Sequence, residues 1–190
     1  MWTARADDLL SRTASADPTP GGGSVAAITG ALGVGLVQMA IAVTMGDAVL
    51  ERYGSRLASL QEGIVAGADG DVHDFDAIMS AYQLPRGDDA QRETRSKAIE
   101  KASIAATDRP LTLVAKFIQA LTVSHEVESL VKASIVSDVL SGRDVIGGAA
   151  RAAVRTADIN IDQLDRLCSS VATTLRARRD DLVAALDEAL

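Results

Sequence analysis

Aromatic side chains are nearly missing from this sequence: Trp2, Tyr53, Tyr82, Phe75 and Phe117 are the only ones in 190 residues. Its 47% hydrophobic content is dominated instead by Ala, Leu and Val, which favours closely packed helices over a β-sandwich core. A single cysteine, Cys168, excludes an internal disulfide or a Cys-x-x-Cys pair. With only His73 and His125 as imidazoles, no metal site is expected. No block of Lys or Arg stands free of acidic neighbours and the net charge is −7, so a nucleic-acid footprint is lacking. The N-terminal Met1–Asp8 has no basic start followed by an apolar run, so no signal peptide is expected and the cytoplasm is the simplest location.

What is present reads as helix from end to end. At 190 residues one core, and so one domain over 1–190, is the default. A short helix from about Arg5 to Ala14 ends before Asp17-Pro18-Thr19-Pro20, because X-Pro pairs disfavour the αR region. Apolar residues recur at helical spacing from Ala48 to Leu84, predicting two helices or one kinked helix with a soft point at Gly67–Gly70. Asp88 and Asp89 offer capping carboxylates for a helix through about Thr107, and Asp108-Arg109-Pro110 reads as a kink or junction. Further segments are expected from Leu111, from Val127 to Leu140, and from about Asp144 to the end, with Ser141-Gly142 as a break.

Pro18 to Gly46 carries no charge, which by length alone qualifies as a membrane span. Its flanks are Asp17 and Asp47 with no basic bias, and it contains Thr29, Gln38, Thr44 and glycines at 21, 22, 23, 30, 33 and 35. The expected structure is therefore a helix from about Ser24 to Thr44, capped by Ser24, apolar on all faces and buried at the centre of a bundle rather than in lipid. The fold class is all-α, a bundle of long antiparallel helices, and so apolar a chain is expected to self-associate.

Four sets of residues stand out chemically. Gly21-Gly22-Gly23-Ser24 sets bare backbone N–H groups and a positive dipole end at one spot, suited to a carboxylate, a carbonyl or a developing oxyanion. The plain alternative is a tight turn with a cap. Asp71 and Asp138 are the acid/base candidates, with capping or solvated roles as the plain reading. Lys132 lies among apolar residues close to Asp138 and could pair with it or contact a ligand. Asp158 and Asp162 are i,i+4 neighbours whose like charges call for a cation or a polar site, or for neutralisation by Arg155 and Arg166.

Four passages together resemble the cyclodeaminase/cyclohydrolase family, which includes formiminotransferase-cyclodeaminase C-terminal domains and methenyltetrahydrofolate cyclohydrolases. They are Pro18–Ala27 continuing through Gly30-Ala31-Leu32-Gly33 to Met39, Asp71–Ala77 through Ala81 to Leu84-Pro85, the Arg95–Pro110 stretch, and Ile135-Val136-Ser137-Asp138 followed by a helix through Asp158 and Asp162. The resemblance implies an all-helical homodimer that takes a tetrahydrofolate derivative as its small-molecule substrate, with no tightly bound cofactor. It makes Asp71 and Asp138 catalytic, and Gly21, Gly22, Gly23, Ser24, Lys132, Asp158 and Asp162 substrate-binding. The chain departs from the family where Val131-Lys132 stands for a Gly-Asn pair, where Asp158 and Asp162 stand for asparagines, and where Asp47-Ala48-Val49-Leu50 replaces basic and tyrosine residues. Two further readings stay open: a related hydrolysis, cyclisation or deamination of a non-folate substrate, and a non-catalytic ligand-binding dimer.

Overall fold

The computed structural model describes residues 1–44, 46 and 48–190. Asp47, the first residue of the departing stretch after the apolar helix, lies outside them. Among the described residues the chain forms α-helices only: α1 (Ala6–Thr13), α2 (Gly22–Thr44), α3 (Ala48–Tyr82), α4 (Asp89–Glu128), α5 (Val136–Arg166) and α6 (Val171–Ala189), with a one-turn 3-10 helix at Ala133–Ile135.

α2 and α5 pack antiparallel and almost backbone to backbone. A Cβ on Gly33 would stand 2.9 Å from the Gly142 carbonyl, and one on Gly142 would stand 2.7 Å from the Gly33 carbonyl. At Gly30 the missing side chain makes room for the fully buried Phe117 ring of α4. Ser141-Gly142, expected to interrupt the helix, is therefore a packing contact inside α5. The breaks fall elsewhere. One lies between α4 and α5, and the other at Leu167–Ser170, where Cys168 adopts a left-handed φ of 55° and separates α5 from α6.

The soft point in α3 and the junction in α4 also prove to be continuous helix. Gly67 and Gly70 receive the side chains of Leu113 and Arg109, so the two glycines are cut-outs for α4 rather than hinges. Pro110 sits inside α4. A mid-helix proline costs about 3 kcal/mol, but each large apolar side chain fully buried contributes roughly 1.5–3 kcal/mol. Leu111, Val114, Phe117 and Leu121 follow directly, all at 0% exposure, so tertiary packing outweighs the lost helix bond.

Two departures concern the ends and faces of α2. Ser24 is not its cap, because the helix begins at Gly22 and the Gly21 carbonyl accepts from the Val25 amide at 3.0 Å. Nor is α2 enclosed on all sides: half of its most apolar stretch is buried, while Leu32 (62% exposed), Met39 and Val43 form an open stripe. α2 is long and apolar enough to cross a membrane, but its other faces pack on α3, α4 and α5.

α1 buries no residue of its own. The segment before it is tied to α3 by the Trp2 Nε1 donation to the Val65 carbonyl (2.8 Å) and by the Met1 amine on Asp69 (2.5 Å). After α1, Pro18, Thr19 and Gly21 lie over the start of α2.

Candidate active site

Where α2 begins, α3, α4 and α5 leave a cleft of about 150 Å³ lined by the Pro18–Gly23 loop, Asp71, Asp74, Phe75, Ile78, Ala106, Thr156 and Asn160. At its base the buried Ser24 fixes Asp71. The Ser24 amide donates to Asp71 Oδ2 at 2.9 Å, and its hydroxyl donates to the same oxygen at 2.8 Å. One carboxylate oxygen is thus occupied, and the other lies against Gly23, where a Cβ would stand 2.1 Å from Oδ1. Gly23 is required here because Asp71 presses on its bare Cα. The Gly22 and Gly23 amides, free of helix partners as first-turn donors must be, open toward the same space with the positive end of the α2 dipole behind them.

Asp74, one turn along α3, is only 5% exposed. Arg109 binds it in two places: Nε on Oδ2, and Nη2 on Oδ1 at 3.1 Å. The Asp74 hydrogen bond raises the Arg109 pKa above its ordinary value, and the nearby Asp74, Asp71 and Asp108 charges add to the effect.

The opposite wall depends on Pro110. A proline has no amide hydrogen, so the Ala106 carbonyl, four residues back, loses its helix donor. Asn160 Nδ2 supplies the replacement at 2.7 Å. That bond fixes which end of the Asn160 amide faces Ala106, and so leaves Oδ1 for the cleft.

The structure brings Gly21, Gly22, Gly23, Ser24 and Asp71 together as expected, and it separates the other predicted site residues from them within the chain. Asp138 stands in the first turn of α5. Gly142 meets α2 near Gly33 and Val37, so Asp138 lies roughly 25 Å along the bundle from Gly23 at 1.5 Å per residue. Lys132 closes the far end of α2: its amide donates to Thr44 Oγ1 (3.1 Å) and its Nζ to the Val43 carbonyl (2.8 Å). Asp158 and Asp162 face α6, paired with Arg179 (2.6 Å) and Arg176 (3.4 Å) rather than with Arg155 or Arg166. Thr156 and Asn160 hold the cleft positions instead. Asp74, Arg109 and Asn160 went unpredicted. The signals were Asp74 at i+3 from Asp71 and the carbonyl that Pro110 leaves without a donor.

Fold and cleft together define an all-α protein with a small cleft built on a helix N-terminus and a fixed carboxylate. The formiminotransferase-cyclodeaminase family model matches residues 5–178, and the chain belongs to that family. It is 32% identical over 162 residues to a methenyltetrahydrofolate cyclohydrolase of Methylorubrum extorquens, covering 82% of this chain and 76% of that protein. It is 32% identical over 104 residues to the formimidoyltransferase-cyclodeaminase of Gallus gallus, covering 51% of this chain but only 19% of that longer protein. Its fold matches the crystal structure of a formiminotetrahydrofolate cyclodeaminase from Thermotoga maritima with a TM-score of 0.83 over 99% of this chain and 92% of the other, at 17% identity.

Proposed function

We propose that the chain is a folate one-carbon enzyme that hydrolyses the cyclic amidinium of a methenyltetrahydrofolate. The observation that carries this reading is Asp71, with Oδ2 held by Ser24 and Oδ1 left at the open N-terminus of α2. Water adds to the carbon bridging two nitrogens, and Asp71 accepts the proton it releases. The hydroxyl of the tetrahedral adduct then loses its remaining proton to solvent, the adduct collapses with one C–N bond broken, and the proton held by Asp71 passes to the leaving nitrogen. The Gly22 and Gly23 amides are set to donate to the oxygen that carries charge in the adduct. The methenyltetrahydrofolate cyclohydrolase relative, with its long coverage, supports this substrate. Purified protein is expected to convert the methenyl to the formyl derivative, and Asp71→Asn is expected to lower turnover by about 10²–10⁴-fold with its helical circular dichroism intact. Absence of wild-type turnover overturns the reading.

The cyclodeaminase relatives favour a second reaction on the same carbon, loss of ammonia from a formimino group as the ring closes. Ammonia release from the formimino substrate, without hydrolysis of the methenyl one, would select it.

We also propose that a second copy covers the open face of α2, making a homodimer. Leu32, Met39 and Val43 share one face of the helix from its middle to its C-terminal end, an apolar surface that a second copy could cover. On this reading the protein works in the cytoplasm, in keeping with the packing of α2 inside the bundle.

A further inference from the structure

Asp71 and Asp74 both line the cleft from successive turns of α3, and nothing in general acid/base chemistry needs the second. Two carboxylates in one small cavity repel and tend to share a proton. Arg109 meets that problem with geometry: it grips the nearly buried Asp74 at two points, and its guanidinium lies flat on α3 because residue 70 has no side chain. A Cβ on Gly70 would stand 2.2 Å from Arg109 Nη1 and 2.5 Å from its Cζ. The bare Gly70 surface is therefore the seat of the guanidinium.

We infer that Asp74 and Arg109 form a charge lock, cancelling one carboxylate so that the cleft carries a single negative charge, on Asp71, matched to a ligand with one delocalised positive charge. The identity of that ligand as an amidinium rests on the function proposed above. The lock itself rests on the chain's own residues.

The surrounding charges leave this balance intact. On α3, His73 Nδ1 stands 3.6 Å from Asp74 Oδ1 with its side chain 80% exposed, and Asp69 is taken by the Met1 amine. On α4, Asp108 is paired with Arg178 of α6, and Lys101 lines a separate groove on the outer side of Asp74. α2 and α5 present only glycines, Thr156 and Asn160 to the cleft. Arg109 is a positioning residue: it acts through Asp74 and need not touch the substrate.

The test separates charge from shape. Arg109→Met, the double variant Arg109→Met/Asp74→Asn, and Gly70→Ala are compared with wild type by ¹³C NMR titration of labelled aspartate carboxyls, which needs no substrate, and by the pH profile of kcat/KM. Arg109→Met is expected to raise the titration midpoint of the Asp71/Asp74 pair, and the acid limb of the profile, by about one pH unit or more. The double variant removes both charges, leaves Asp71 as the one carboxylate of the cleft, and is expected to return the acid limb of the profile to the wild-type position. Gly70→Ala displaces the guanidinium and is expected to shift midpoint and acid limb in the same direction as Arg109→Met; its gain in helix propensity offsets only part of the broken ion pair, so some loss of Tm is expected with it. It also serves if Arg109→Met fails to fold. An unmoved titration in Gly70→Ala and Arg109→Met, or a double variant as shifted as the single, would overturn the lock. Wild-type protein with the expected titrations but no methenyl turnover would overturn the folate reading alone.

Discussion

Gly23→Ala tests the site at its tightest point. The new Cβ would stand 2.1 Å from Asp71 Oδ1 and 2.7 Å from its Cγ, so the carboxylate must move. Moving it breaks the bonds from the Ser24 amide and hydroxyl to Oδ2. Hydrogen bonds to a charged group contribute about 1.5–3 kcal/mol each, and an alanine in a helix returns about 1 kcal/mol, leaving a net loss of roughly 2–5 kcal/mol. For a chain of this size that is a fall in Tm of roughly 4–20 °C by differential scanning calorimetry. Turnover is expected to drop by about 100-fold, since an ångström of misplacement is enough. The adjacent Gly22→Ala is the control. Its Cβ would meet only Thr156 Oγ1, at 3.5 Å, an ordinary contact, so stability is expected to stay within about 0.5 kcal/mol of wild type. Equal damage from the two substitutions would show that general backbone freedom in the turn, rather than the seat of Asp71, is what the glycines provide.

Three further outcomes follow from the packing. Asn160→Ala leaves the Ala106 carbonyl without a donor and is expected to cost about 1–3 kcal/mol in chemical denaturation; adding Pro110→Ala, which restores an amide to α4, should recover much of it. Leu32→Glu is expected to convert a dimer to a monomer in sedimentation velocity, and an unchanged sedimentation coefficient would remove α2 from the interface. Asp158→Ala, which breaks only the surface pair with Arg179, is expected to leave turnover within about two-fold and stability within about 1 kcal/mol.

The helical class and the long apolar helix packed into the bundle were legible from composition, although α2 keeps one face open, and the meeting of the glycine turn with Asp71 was legible through the family resemblance rather than from the residues alone. What periodicity could not report is whether a small residue or a proline inside a helix marks an end or a contact. Gly70 carries a guanidinium, Gly142 a backbone crossing, and Pro110 a carbonyl that Asn160 claims, and each lies in unbroken helix. Phase was the other limit. At 100° per residue, an error of two positions turns a side chain to nearly the opposite face, which is the difference between Asp158 facing Arg179 and Asn160 facing the cleft. Asp138 was assigned from its motif, whereas its distance from Gly23 is set by the antiparallel register of α2 and α5, which only the packing of Gly33 on Gly142 reveals.

The most direct test of the catalytic centre is a structure with a slowly reacting methenyltetrahydrofolate analogue bound. The bridging carbon is expected within about 3.5–4 Å of Asp71 Oδ1, with room for one water between carbon and carboxylate, beside the Gly22 and Gly23 amides. An analogue bound elsewhere, with no ligand atom near Asp71 Oδ1 or Gly23, would contradict the account.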